Sequence, residues 1–177
     1  MAMTLITTNT SSNAANSSFT SSIDSTYKLF IFKFIDVNPV TDGAEFTFQV
    51  NAVGASGYNE TITSTSFAAN HYENDATQRV AYDDAKDQAQ GTAYNVIGGD
   101  LGNGADECGA GTFFLFNPSN TTYAKHWYST VQLYRLEDIT EIHYSAGYIN
   151  VTAAIDEIDF KMSSGNMDAV IKMYGVG

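Results

Sequence analysis

Residues 139–177 read ITEIHYSAGYINVTAAIDEIDFKMSSGNMDAVIKMYGVG. Three runs in it, IHYSAGYINV, IDEIDFKM and AVIKMYGV, alternate apolar with polar residues. Alternation at period two marks strands with one buried face. The last two runs are joined by Ser163-Ser164-Gly165-Asn166, a composition suited to a turn. No catalytic constellation sits among them. This succession points to an all-β domain built to present surfaces.

Upstream the same signal recurs. In YKLFIFKFIDV, Phe30, Phe32 and Phe34 alternate with Leu29, Ile31 and Lys33. Apolar residues on both sides predict a strand covered on both faces. Asn38-Pro39 and Asp42-Gly43 mark a turn, and EFTFQV, with Phe46, Phe48 and Val50 on one face, completes a predicted hairpin. ETITSTSF, GTFFLFNPSN and TYAKHWYSTVQLYRL supply further strands, the last carrying the only Trp, Trp127.

Two segments read differently. RVAYDDAKDQAQ, residues 79–90, predicts one short helix with a small apolar face (Val80, Ala81, Ala85, Ala89) and Gly91 beyond its end. The Gly-rich block 91–111 predicts a long insertion loop on the surface, and loops of that length are often functional. At the other end, TTNTSSNAANSSFTSS (7–22) holds too little apolar surface to order itself. It predicts an extended polar N-terminal arm over residues 1–22, anchored by Met3, Leu5, Ile6 and Phe19 on a neighbouring subunit. The rest, 23–177, is one domain. Eight or nine strands without helix–strand alternation predict a jelly-roll-like two-sheet β-sandwich.

Composition narrows the function. The chain has 177 residues, enough for one domain with a real core. Charged residues are only 16%, so surface polarity comes from Ser, Thr and Asn, which suits broad contact with other subunits. The formal net charge is -12. Nucleic-acid binding rests on Lys and Arg that displace counterions, so this balance argues against it. The single cysteine, Cys108, excludes an intrachain disulfide and reads as a structural thiol. No apolar run approaches the roughly 20 residues of a membrane helix. MAMTLITTNT has neither a basic n-region nor a signal-peptide core, so synthesis in a cytoplasm is expected.

Candidate chemistry is sparse. His71, His126 and His143 lack metal-ligand spacing. Asp83, Asp84 and Asp87 share a region of the predicted helix. Asp100, Asp106 and Glu107 in the Gly-rich block could gather around Ca²⁺, though without a known calcium-motif spacing. Asp156, Glu157 and Asp159 invite a glycosidase reading, since alternate strand positions put Glu157 and Asp159 on one face about 7 Å apart. The framing Ile155 and Ile158 favour a polar sheet edge instead. GxSxG and GxxxxGK[ST] are absent. Asn-x-Ser/Thr triplets such as Asn120-Thr121-Thr122 follow from composition. No catalytic, cofactor or metal residue is assigned. Exposed aromatics are the better candidates: Tyr58, Tyr72, Tyr94, Tyr123 and Tyr128 fall near predicted loops and strand edges, and Tyr is enriched at interfaces. With the arm anchors, the expected interface is Leu5, Ile6, Phe19, Tyr58, Tyr72 and Tyr94.

Three stretches resemble small virion structural proteins of tailed phages, especially podoviruses of marine bacteria and cyanobacteria. They are TSSIDSTYKLFIFKFIDVNPVTDGAEFTFQV (20–50), LFNPSNTTYAKHWYST (115–130) and GYINVTAAIDEIDFKMSSGNMDAVIKMYGV (147–176). The resemblance implies a non-enzymatic particle component without cofactors, made in the host cytoplasm and placed on the virion outer surface. Its partners would be the major capsid protein or other virion proteins, with no nucleic acid and no membrane. Capsid decoration or cement, as a homotrimer at threefold positions, is the leading expectation. The alternative is a tail- or fibre-associated receptor- or glycan-binding protein.

Overall fold

The computed structural model describes residues 2–177. Twelve strands follow one another: β1 (Met3–Ala14), β2 (Ser17–Phe19), β3 (Leu29–Pro39), β4 (Ala44–Ala52), β5 (Ile62–Tyr72), β6 (Gln78–Tyr82), β7 (Asn95–Leu101), β8 (Gly109–Phe116), β9 (Lys125–Arg135), β10 (Ile139–Ile149), β11 (Ile155–Met162) and β12 (Met167–Val176). All belong to one sheet. Its main path runs β1-β12-β3-β8-β9-β7-β4-β11-β2, and a wing of β10, β5 and β6 leaves at β9.

The expectation of a two-sheet jelly-roll sandwich with a short helix is corrected here. The hydrogen-bonded path rolls round a single core into a nearly closed barrel, and no helix occurs among the described residues. Closure is completed by a side chain: Asn9 Nδ2 of β1 donates to Ser18 O of β2 at 2.9 Å. Register shifts explain the curl. They fall at Leu5/Thr7, Ser11/Ala14, Phe34/Val37, Ala44/Phe46, Phe46/Thr47, Ile155/Glu157 and Asp168/Val170, and an extra residue bends and twists its strand. Periodicity reports which face is buried, not how far a strand bends.

The predicted hairpin of β3 and β4 is also corrected. β3 pairs with β12 and β8, whereas β4 pairs with β11 and β7. The turn at Asp42-Gly43, with Gly43 at φ 70°, therefore carries the chain across the barrel. The Ser163–Asn166 turn, with Gly165 at φ 70°, makes the matching crossing from β11 to β12. True hairpins join β5 to β6, β8 to β9 and β9 to β10.

The predicted helix, 79–90, is instead β6 followed by turns. Asp83 N donates to Ser66 O and Gln88 N to Ser64 Oγ, and Lys86 is drawn to Glu45. A segment with only alanines and one valine to bury gains more from these tertiary bonds than from its own helical ones. The Gly-rich block is corrected as well: residues 95–101 and 109–116 form β7 and β8, leaving a loop of 102–108. Gly111 sits so close to Thr130 O and Val131 Cα that a Cβ there would collide with backbone.

The N-terminal segment is not a free arm. β1 runs antiparallel to β12 from Met3↔Val176 to Ala14↔Met167, and β2 pairs with β11. A chain too polar to order itself is ordered by backbone bonds to its own domain. Phe19 lies in the core, edge-on to Phe32 at 5.2 Å. Deleting residues 2–19 is accordingly expected to unfold the domain rather than free an intact one. The truncated chain should lose its cooperative denaturant transition or show an unfolding free energy lowered by more than about 3 kcal/mol, the usual cost of losing one buried Phe.

The barrel interior is aromatic. Phe30, Phe32, Phe34, Phe46, Phe48, Phe113, Trp127 and Phe160 are all essentially inaccessible. Phe160 stands at the centre, with the rings of Phe19, Phe32, Phe34, Phe46 and Phe113 between 5.1 and 6.3 Å away. A buried cation closes one end. Lys125 Nζ donates to the carbonyls of Val151, Thr152 and Ala153 at 3.1, 2.9 and 2.6 Å, while burial pulls its pKa down.

Candidate interaction face

The outward side of β12, β3, β8, β9, β10 and β5 is an open sheet face. The expectation that β3 is covered on both sides is not met: Ile31 is buried by flanking side chains, with no second layer of strands over it. Register aligns the outward residues in rows. One row runs Leu5, Tyr174, Ile31, Phe114, Tyr128, Ala146, Thr65. The next runs Lys172, Lys33, Thr112, Thr130, Tyr144, Phe67, Tyr82.

Cross-strand rings stack within these rows. Phe114 and Tyr128 lie 4.4 Å apart, and Phe67 and Tyr144 4.9 Å apart. Tyr128 is 40% exposed, Phe67 45% and Tyr82 55%, well beyond what packing alone requires. Neither row contains a carboxylate, and their only charges are Lys33 and Lys172. In a chain with 20 acidic residues and 8 basic ones, acid meets these rows at the wing end, where Asp87 accepts from Tyr82 OH. Exposed, stacked rings in rows that carry no carboxylate are the composition of a contact surface.

Two polar clusters lie off this face. In the first, Asp159 is buried on β11 and accepts from Ser18 Oγ at 2.5 Å, Asn16 Nδ2 at 2.9 Å and Tyr94 OH at 2.8 Å. Lys161 Nζ lies 4.0 Å above the Tyr94 ring. Burial, then Glu157, push the Tyr58 hydroxyl up to about 12. Burial and the bond to Asp159 raise Tyr94 further. Asp159 is thereby consumed as an acceptor, which leaves Glu157 without a free partner carboxylate for glycoside chemistry.

The cluster has a pH signature. Unfolded tyrosines ionise near 10, so both raised groups stabilise the fold fully below pH 10. That stability is lost as pH rises through about 12 for Tyr58 and still higher for Tyr94. Absorbance at 295 nm should show tyrosines that lag the main titration, and Tyr94→Phe should remove one of them. Denaturant midpoints between pH 9 and 12 should fall in the parent protein and fall less in the variant.

The second cluster lies between the wing and β7. Arg135 donates to Glu141 at 2.7 Å and to Asp100 at 2.6 Å, and Lys86 pairs with Asp100 and Glu45. Glu141 Oε1 stands 3.7 Å from His143 Nδ1, and His143 Nε2 is 2.9 Å from Ser66 Oγ. Ser66, His143 and Glu141 have the residue order of an acyl-transfer triad. Ser66 and His143 are wholly buried, however, so no carbonyl substrate can approach Oγ. The network works as internal polar packing, tied to β7 by Ser64 Oγ–Asn95 Oδ1 at 2.7 Å.

The residues singled out by sequence disperse. Leu5 is half exposed on β1 at the margin of the face, and Ile6 packs against the core. Phe19 is core. Tyr58 and Tyr94 belong to the Asp159 cluster, and Tyr72 is half buried at the end of β5. Asp100 and Glu107 diverge: the first binds Arg135, the second accepts from Gly104 N at 2.5 Å. Among the described residues no three His, Cys, Asp or Glu side chains converge as metal ligands. Sequence reasoning missed the face because Phe67, Phe114, Phe116, Tyr144 and Tyr148 lie on strands, where rings read as core. The available signal was that β8 and β9 carry aromatic rings on both of their faces. No protein-family model and no curated protein matches the chain.

Proposed function

We propose that this protein is a non-catalytic structural component of the outer surface of a tailed-phage particle and that its outer sheet face is a recognition surface. One observation carries the second half: stacked, exposed aromatic rows without a carboxylate, on a chain of net charge -12. The first half draws on the resemblance of residues 20–50, 115–130 and 147–176 to small virion proteins. Those stretches supply β3, β4, β11, β12 and the β8–β9 turn, the framework that carries the face.

Head decoration is the second reading, favoured by the breadth of the face, which runs over six strands and suits contact with coat subunits. The bridging-arm mechanism no longer supports it, because residues 3–14 are β1. Purified protein should be added to particles lacking it and imaged by cryo-electron microscopy. Density with the face directed outward, or at the tail tip, supports recognition. Density over the head with the face against coat protein supports decoration. No density on any particle would sink the virion assignment. Ala146→Trp, an exposed change expected to alter stability by less than about 0.5 kcal/mol, should weaken whichever contact the face makes at least tenfold in Kd.

A further inference from the structure

We propose that the hollow above Ala146 binds one neutral hexose unit of a surface polysaccharide; this rests on reading the outer sheet face as the recognition surface. The hollow measures about 380 Å³ and is lined by Phe116, His126, Tyr128, Tyr148, Thr63 and Thr65 around Ala146. Small-ligand sites run from roughly 300 to 1,000 Å³, so this one suits a single ring of a longer chain.

The hollow exists because of one small residue. Ala146 lies between Tyr144 and Tyr148 along β10 and between Tyr128 and Thr65 across the sheet. Phe114 stacks on Tyr128 from the β8 side, nearly parallel at 20°. The opposite face of the Tyr128 ring therefore looks along the row toward β10, where only a methyl group stands. An aromatic face held in place on one side and uncovered on the other is a ready stacking platform.

The lining selects the ligand by charge. No ionised carboxylate, Lys or Arg lines the hollow, and Lys33 and Lys172 lie on the far side of the β8 strand. An anionic ligand would meet no counter-charge and would approach against the net charge of -12. A cationic ligand would find no carboxylate.

The rim is polar and partly fixed. Gln90 Nε2 donates to Thr63 Oγ1 at 2.6 Å and reaches Tyr148 OH at 3.4 Å, while Gln90 Oε1 accepts from Asn150 Nδ2 at 2.9 Å. A pyranose offers an apolar C–H face for the ring and hydroxyls for such a rim. A purely apolar ligand would use the first and waste the second.

Saturation-transfer NMR on the full chain should be run with maltotriose, lactose, mannotriose and chitotriose, and with heparin as an anionic control. At least one neutral sugar is expected to bind saturably, heparin not at all. Ala146→Trp and Tyr128→Ala should each weaken binding at least tenfold, with near-ultraviolet circular dichroism and denaturant midpoints confirming the fold. Absence of transfer to every neutral sugar, or binding that survives Ala146→Trp, overturns the proposal. Adhesion of labelled protein to bacterial envelopes and to particles lacking it separates the two levels. Adhesion lost in Ala146→Trp without any sugar binding defeats the glycan assignment and leaves the recognition face standing, with a protein side chain as occupant. Adhesion untouched by both substitutions defeats both.

Discussion

Replacing Phe160 with Ala is expected to lower stability by about 3–5 kcal/mol, the largest effect of any single side chain in the barrel. Five rings from β2, β3, β4 and β8 converge on it, and every one loses a neighbour at once. The barrel walls are fixed by backbone bonds, so the space cannot collapse without shifting several strands. Unrelieved cavities put such a change at the upper end of the range. Denaturant titration should report a lower midpoint with an unchanged slope, because the same surface is exposed on unfolding. Phe160→Leu should recover part of the loss, as it keeps most of the volume. A Phe160→Ala variant within about 1 kcal/mol of the parent would mean that the rings are not packed as described.

Removing the Glu141 carboxylate is the second large effect. Glu141→Ala leaves Arg135 with Asp100 alone, strips Asn70 of an acceptor and removes the carboxylate 3.7 Å from His143 Nδ1 in a buried site. Breaking a buried pair from one side costs about 3–5 kcal/mol when the surviving charge is left alone; Asp100 still holds Arg135, so the loss expected here is about 2–3 kcal/mol. Burial pushes this carboxyl upward, yet His143, Arg135 and Asn70 together outweigh it and hold it below the usual glutamate range. A depressed carboxyl contributes stability that is complete above its unfolded pKa of about 4.3 and is lost as pH falls through the folded value. The parent should therefore destabilise on acidification below about pH 4, and Glu141→Ala should show a smaller acid-dependent loss from an already lower starting point. Equal acid dependence in both proteins would remove Glu141 from the account.

The strands that alternate cleanly were legible as sequence. Phe30, Phe32 and Phe34, then Phe46 and Phe48, face inward as their spacing requires, and Gly165 turns where Ser-Ser-Gly-Asn predicted a turn. Others were hidden by composition. β1 contains mainly Ser, Thr and Asn and earns its order from β12, a partner about 160 residues away, which no local window can register. β7 and β8 carry glycines because Gly98 and Gly111 lie against Leu133, Val131 and Thr130, so that closeness to a neighbour was misread as looseness. The face was visible only in part. Tyr128 stood out beside the single Trp, but Ala146 means nothing until register places it beside Tyr128 and Thr65. His143 and Ser66, far apart in sequence, become partners for the same reason.

The place of β12 in the wall has a kinetic consequence. It is the last strand in order yet lies between β1 and β3, which touch each other nowhere in the ladder. During synthesis β1 waits with no strand partner, and β3 with one edge unpaired, until β12 emerges from the ribosome. Late, long-range pairing of this kind makes folding slow and leaves strand edges open to other nascent chains. β1 waits with no charged residue and no proline in its twelve positions, the edge least protected against wrong pairing. Production yield should therefore respond to translation rate and chaperone supply more than to the equilibrium stability of the finished barrel.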